Sequence, residues 1–220
     1  MKVKKESIGY VVSFTFAVCL VFVLVLAVAN QVTLSQVEAN KRFASQLAVL
    51  KAFGLAKADA ARSEVESAYA SSVKELKAPE GVSAAYRAEI DGQSYLAVRI
   101  TGAGLWGPIT AILAADPAVQ RIKGMDILDQ QETPGLGGRI GEAWFMDQFS
   151  GEKIGPEGTV AVRQGSGKGD QDKENSQVDA VTGASRTSDF VQSLVNSALK
   201  AIKELRSEEH TSELQSRQVI

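Results

Sequence analysis

Residues Asp179 to Thr187, reading Asp-Ala-Val-Thr-Gly-Ala-Ser-Arg-Thr, place three hydroxyl side chains around a Gly-Ala pair. Gly183 and Ala184 remove side-chain bulk where a large ligand or a modifying enzyme would approach the backbone. Phe190, Val191, Leu194, Val195, Ala198, Leu199, Ile202 and Leu205 follow at helical spacing and predict an amphipathic helix with one apolar face. Thr187 then sits at its N-terminus, and Ser185, Thr187 and Ser188 are candidate N-caps. The orphan N–H groups of a first turn and the helix dipole favour an anion there, so a phosphoester on Thr187 would be electrostatically stabilised. Local physics leaves a plainer reading equally open: a strand, a small-residue turn and a capped helix.

A second block, Glu132-Thr133-Pro134-Gly135-Leu136-Gly137-Gly138, combines hydrogen-bonding groups with a fixed bend. Pro134 sets the backbone so that Gly135 and Gly137 can bring N–H groups close to a ligand, with Leu136 as an apolar contact. On residue types alone, a tight Pro-Gly turn with a capping Glu accounts for the same pattern. In the third block, Gly104-Leu105-Trp106-Gly107-Pro108-Ile109, Trp106 reads either as lining a cleft or as core. Trp144 reads as core. Arg186 either offsets an anion or points to solvent. Other chemistries lack their parts. The one histidine, His210, lies in the C-terminal tail 206–220 and the one cysteine, Cys19, in the apolar N-terminal run, so no Ser-His-Asp or Cys-His arrangement and no Cys/His cluster with metal spacing is available.

Asp179 to Thr187 resembles the flavinylation motif Asp-x-x-(Ser/Thr)-Gly-Ala-(Ser/Thr)-x-Thr, and every fixed position is filled. The Glu132 block resembles the other half of the same FMN-binding domain. The Gly104 block is similar to a segment of the C-type subunit of the Na+-translocating NADH:quinone oxidoreductases, as is the apolar N-terminus. The resemblance runs from the start to about Leu205. It implies FMN joined covalently through its phosphate to Thr187, with Thr182, Gly183, Ala184 and Ser185 forming the attachment segment. Glu132, Thr133, Gly135, Leu136, Gly137 and Trp106 would face the cofactor. It also implies an electron-relay subunit with no independent turnover, other subunits of a membrane NADH:quinone oxidoreductase as partners, and a flavin transferase using FAD. A protein needs only to hold and tune such a cofactor, which supplies the electron chemistry. The G-type subunit of the Rnf ferredoxin:NAD+ complex shares the flavin motif and is the alternative within redox chemistry. A membrane-tethered scaffold without flavin is the alternative outside it.

Ile8 to Ala29 carries no charge, and at 1.5 Å per residue about 22 residues reach roughly 33 Å, enough for a hydrocarbon core of about 30 Å. This predicts one transmembrane helix, the run being longer than a signal-peptide core. Lys2, Lys4 and Lys5 place the N-terminus, residues 1–7, in the cytoplasm and the remainder in the periplasm, with Lys41 and Arg42 on the far side weakening that bias. The expected location is the cell inner (cytoplasmic) membrane, single-pass. Cys19 lies inside the span and forms no intrachain disulfide. A formal net charge of −2 with no basic stripe excludes a nucleic-acid partner. At the other end, Arg206 to Ser216 is similar to the in-frame translation of a short-read sequencing adapter. Residues 206–220 are therefore set apart from the fold, and His210 with them.

The segments that must position these blocks form an α+β arrangement: transmembrane helix 8–29, helical stalk 30–81 and an FMN-binding domain 82–205 with a mainly antiparallel sheet. Leu34, Val37, Phe43, Leu47, Leu50 and Phe53 predict a helix ending at Gly54, and a second helical pattern covers Ala58 to Lys77. Strand texture starts at Val82, with Asp91-Gly92 as a two-residue hairpin turn. Ile109–Ala115 and Arg121–Leu128 are further strands, Ile140–Phe149 a short helix, and Thr159–Arg163 and Gln177–Thr182 late strands. Gln164 to Gln177, rich in Gly, Ser and charge, is expected to be a mobile solvated loop.

Overall fold

The computed structural model describes residues 7–218, with side chains as far as Glu208. Lys2, Lys4 and Lys5, on which the orientation reading rests, and the side chain of His210 lie outside the described residues. The chain divides into two units, residues 1–42 and 43–220. Helix α1, Ile8–Phe53, fills the described part of the first; its most apolar 18-residue window has a mean hydropathy of 3.0 and buries nothing. By length and composition it can cross a membrane.

In the second unit, the last turns of α1 bury Ala48, Val49, Leu50, Ala52 and Phe53. The helix stops at Gly54, whose φ of +73° suits a residue without Cβ. The N–H groups of Gly54 and Leu55 donate to the carbonyls of Lys51 (2.9 Å) and Leu50 (2.7 Å), the two bonds of a Schellman end. Helix α2, Arg62–Ser72, runs directly into strand β1, Val73–Leu76. The expected helix to Lys77 and a sheet beginning at Val82 are therefore corrected. Val73 to Leu76 pair with Ala88 to Ala85, and this non-local partner overrides a locally helical sequence.

Strands β2 (Ala84–Ile90), β3 (Gln93–Gly102), β4 (Ile109–Ala115) and β5 (Ile122–Asp129) complete an antiparallel sheet in the order β1-β2-β3-β4-β5. Asp91 (φ 52°) and Gly92 (φ 74°) make the β2–β3 turn, and their paired positive φ values match the right-handed strand twist. Side chains alternate between the faces. Ala88, Ala97, Ile112 and Ala114 pack with Phe53 and Val49, whereas Val98, Ile100, Ala111 and Leu113 point to the other side.

That second face is covered by a helix, α4, reached after five short elements. Ile140–Phe149 is not one helix: a 3-10 turn at Gly137–Gly141 leads to helix α3, Ala143–Met146, and another 3-10 turn, Asp147–Phe149. Strands β6 (Ala161–Arg163) and β7 (Gln177–Asp179) form a separate parallel pair. Helix α4, Ser185–Gln218, lays Val191, Leu194, Val195, Ala198, Leu199 and Ile202 on the sheet. Its Asn196 and Gln192 side chains accept the N–H groups of Val160 (2.9 Å) and Val162 (2.8 Å), which β7 leaves free. The architecture is α+β. Burial along α4 reaches Leu205 while Arg206, Ser207 and Glu208 are exposed, yet the backbone stays helical to Gln218. Glu, Leu and Gln in that tail are helix formers by intrinsic propensity.

Candidate functional site

Three connections meet where β3 and β5 end and α4 begins. Glu132, just past β5, is 4% exposed. Its Oε1 accepts the backbone N–H groups of Leu105 (2.7 Å) and Trp106 (3.1 Å). Its Oε2 accepts the hydroxyl of Thr187 at 2.6 Å. Gln130 Oε1 in turn accepts the backbone N–H of Glu132 at 2.6 Å. One carboxylate thus ties together all three blocks singled out in the sequence.

Close packing enforces this meeting. A Cβ on Gly137 would lie 2.6 Å from Thr187 Oγ1 and 2.8 Å from Glu132 Oε2, and one on Gly104 would lie 2.7 Å from Glu132 Oε1. Each carboxylate oxygen therefore sits beneath a glycine. Gly183 has a different reason from the one its sequence context suggested: a Cβ there would meet only Leu136, at 3.5 Å, but φ is +80°. The turn needs a left-handed residue rather than an empty space.

Thr187 is 1% exposed and belongs to the first turn of α4, with Ser188 beside it. None of the three candidate caps precedes the helix, which starts at Ser185. Ser188 Oγ instead accepts Val181 N–H (3.2 Å) and donates to Ala184 O (3.0 Å), locking the turn onto its helix. Ala184 is buried, whereas Thr182, Gly183 and Ser185 are exposed. Thr133 and Gly135 are exposed too, on a turn closed by the N–H groups of Leu136 and Gly138 on Thr133 O. Arg186 lies over the Phe190 ring at 5.9 Å rather than on Thr187.

Beyond α1, the large apolar side chains exposed among the described residues are Leu105 (50%), Trp106 (70%) and Leu136 (47%). Trp106 is therefore not core. All three belong to the loops that Glu132 joins, and they leave an uncovered apolar surface beside a buried hydroxyl at a helix N-terminus. That donor set suits a ligand with a flat apolar ring and a phosphate: apolar contacts for the one, a hydroxyl and first-turn N–H groups for the other. The residues present fit FMN.

Asp179, the first residue of the motif, plays a part that local sequence did not reveal. Its Oδ2 accepts Ser166 Oγ (2.9 Å) and Gly167 N–H (3.1 Å). Gln148, 3% exposed, accepts the N–H groups of Asp179 (2.7 Å) and Asp170 (2.8 Å) through Oε1 and donates to Asp179 O (3.2 Å). The Gly-Ser loop expected to be mobile and solvated is thereby fastened to the motif. Glu152, fully buried behind it, accepts Gln177 N–H at 3.2 Å; burial pushes its carboxyl above the usual range, opposed by that bond and by Lys173. Gln148 has no sequence signature, since its partner is 31 residues away.

Residues 104–200 match the FMN-binding domain family. The C-type subunit of the Na(+)-translocating NADH-quinone reductase of Neisseria meningitidis is 42% identical over 92 residues, 41% of this chain and 35% of the relative. Its Pseudomonas aeruginosa counterpart is 30% identical over 131 residues, 58% and 50% of the two chains. The chain resembles the C-type subunit of these reductases. The match spans about a third to a half of these curated relatives. The crystal structure of the corresponding protein from Parabacteroides distasonis superimposes with a TM-score of 0.64 at 24% identity, covering 78% of this chain and 96% of that one, and shares the fold.

Proposed function

We propose that this chain is a membrane-anchored electron-relay subunit with FMN held as a phosphoester on Thr187, within a Na+-translocating NADH:quinone oxidoreductase. The observation that carries this reading is the hydrogen bond of Thr187 Oγ1 to Glu132 Oε2, at the one place where both halves of the FMN-binding sequence pattern meet the N-terminus of α4. When bound, FMN supplies one-electron chemistry. The chain's own residues would hold the phosphate at the first turn of α4 and cover the ring with Leu136, Trp106 and Leu105. Thr133 and the N–H of Gly135 would hydrogen-bond the polar edge, and Thr182 and Ser185 would flank the attachment. Helix α1 would anchor the chain in the cytoplasmic membrane, with the second unit on the periplasmic side. The partners are the remaining subunits and a flavin transferase. The names of the relatives favour this complex over the Rnf type.

The test is covalent flavin itself. The full chain coexpressed with a flavin transferase should retain flavin fluorescence after denaturation, and peptide mass should place it on Thr187. Thr187→Ala should remove it, while Ser185→Ala, at an exposed hydroxyl, should keep most of it. A Thr187→Ala chain still carrying flavin would reject the assignment.

A further inference from the structure

We infer that Glu132 is the proton acceptor for esterification of Thr187, and that the proton it takes stays on it afterwards. This rests on the reading of Thr187 as the attachment residue. Three features of the site point to it. The Thr187 hydroxyl already donates to Glu132 Oε2 at 2.6 Å, within the reach a general base requires. The other oxygen, Oε1, is held by the N–H groups of Leu105 and Trp106, which orient the carboxylate and leave Oε2 to receive the proton. Finally, Gly104 and Gly137 pack closely over the two oxygens, and Glu132 and Thr187 are 4% and 1% exposed, so the pair is buried and fixed. Asp126, Glu152 and Asp179, the other acids buried among the described residues of this unit, bond to Lys51, Gln177 and the Ser166–Gly167 segment instead and are not available to Thr187.

The step balances as follows. Thr187 Oγ1 forms a bond to the FMN-side phosphorus of a flavin adenine dinucleotide as its Oγ1–H bond breaks. The proton goes to Glu132 Oε2, and the pyrophosphate P–O bond breaks with its electron pair leaving on AMP. Neither oxidation nor reduction occurs. The Thr133–Gly138 turn must part from the pair for the dinucleotide to enter, because Thr187 is 1% exposed. Retention of the proton follows from electrostatics. The ester has lost the hydroxyl donor, and an ionised Glu132 would face a phosphodiester anion across the same short gap, a like-charge contact that favours the protonated form of one partner. The neutral acid instead donates to an ester oxygen, replacing the lost hydrogen bond.

The experiment uses purified full-length apo-chain in detergent with FAD and a flavin transferase, and follows flavin incorporation by intact mass. Glu132→Gln should slow incorporation by about 100-fold or more, in the range general-base catalysis supplies, in chain shown by its thermal melt to be folded. Glu132→Asp, which keeps a carboxylate one methylene shorter, should be slower than the parent yet keep a pH-dependent limb that the Gln variant lacks. In flavinylated parent chain, infrared difference spectra should show a protonated carboxyl band that is missing in flavinylated Glu132→Gln. Incorporation into the Gln variant within threefold of the parent, with the same pH profile, would overturn the inference. Should the Gln variant fail to fold, the Asp variant decides: parent-like rates overturn it. Flavin found on a residue other than Thr187, at any rate, would instead overturn the attachment reading.

Discussion

The two faces of the five-stranded sheet are closed by helices of very different character. On one, the last turns of α1 set Val49 and Phe53 against Ala88, Ala97 and Ala114, and two polar pairs close its margin: Lys51 with Asp126 at 2.5 Å, Tyr69 with Glu75 at 2.8 Å. On the other, α4 buries a broad aliphatic stripe but begins with a buried Thr187–Glu132 pair and leaves Leu105, Trp106 and Leu136 uncovered nearby. The first face is covered by packed side chains; the second ends in apolar surface and a buried hydroxyl. Stability and chemistry should therefore separate by face.

The sharpest way to break that contrast is Gly137→Ala. Its Cβ would press on Thr187 Oγ1 and Glu132, and we expect covalent flavin to fall to a few per cent of the parent by intact mass. The cost in stability should be only the roughly 1–3 kcal/mol of an overpacked site. Near-parental flavin would show that the pair is not held so tightly. The opposite outcome is expected from Phe53→Ala on the α1 face. Phe53 is fully buried, and its truncation should cost about 3–5 kcal/mol in denaturant unfolding while the folded fraction is flavinylated normally. Loss of flavin in chain that remains folded would mean the faces are coupled.

A smaller effect on the same face is expected from Gly124→Ala, whose Cβ would come 2.7 Å from the carbonyl of Ala52. Backbone cannot swing aside, so the end of α1 must shift, at about 1–3 kcal/mol. Thermal melts of Gly124→Ala and Phe53→Ala, singly and combined, should show non-additivity, because both act on the seat of α1.

The smallest effect is a pH slope. Burial raises the Glu152 carboxyl above its ordinary 4.5, so the fold favours its protonated form. Its contribution is full below that ordinary value and is lost as pH rises through the folded value. The melting temperature of Glu152→Gln minus that of the parent should therefore increase as pH rises from about 4.5 towards 7. A flat difference would show that Glu152 titrates normally.

Much of this was legible in the residues. The Asp91-Gly92 turn, the bounds of β4 at Ile109 and Ala115, and the buried stripe of α4 all follow from local periodicity and turn chemistry. What was not legible depends on partners far along the chain. Val73 to Leu76 look helical until β2 lies beside them. The Gly-Ser loop looks free until Asp179 and Gln148 are brought to it. Nothing local to Glu132 announces that it accepts the hydroxyl of Thr187, 55 residues on. Sequence singled out these residues one by one; only the fold could say which of them bond to one another.

The glycines over the two motif carboxylates carry a consequence for how such a chain can diverge. Gly104 and Gly137 lie over Glu132, and a Cβ on Gly165 would fall on the carboxylate of Asp179. At 165 every close atom belongs to Asp179, whereas a Cβ at 104 would also meet the Gly107 carbonyl at 2.5 Å and one at 137 would also meet Thr187 Oγ1 at 2.6 Å. A larger residue at 165 becomes tolerable if position 179 shortens, but shortening position 132 alone admits none at 104 or 137. Across relatives, 165 should therefore change together with 179, while 104 and 137 should stay glycine whatever stands at 132. A collection in which these positions drift independently would mean that the carboxylates find another seat.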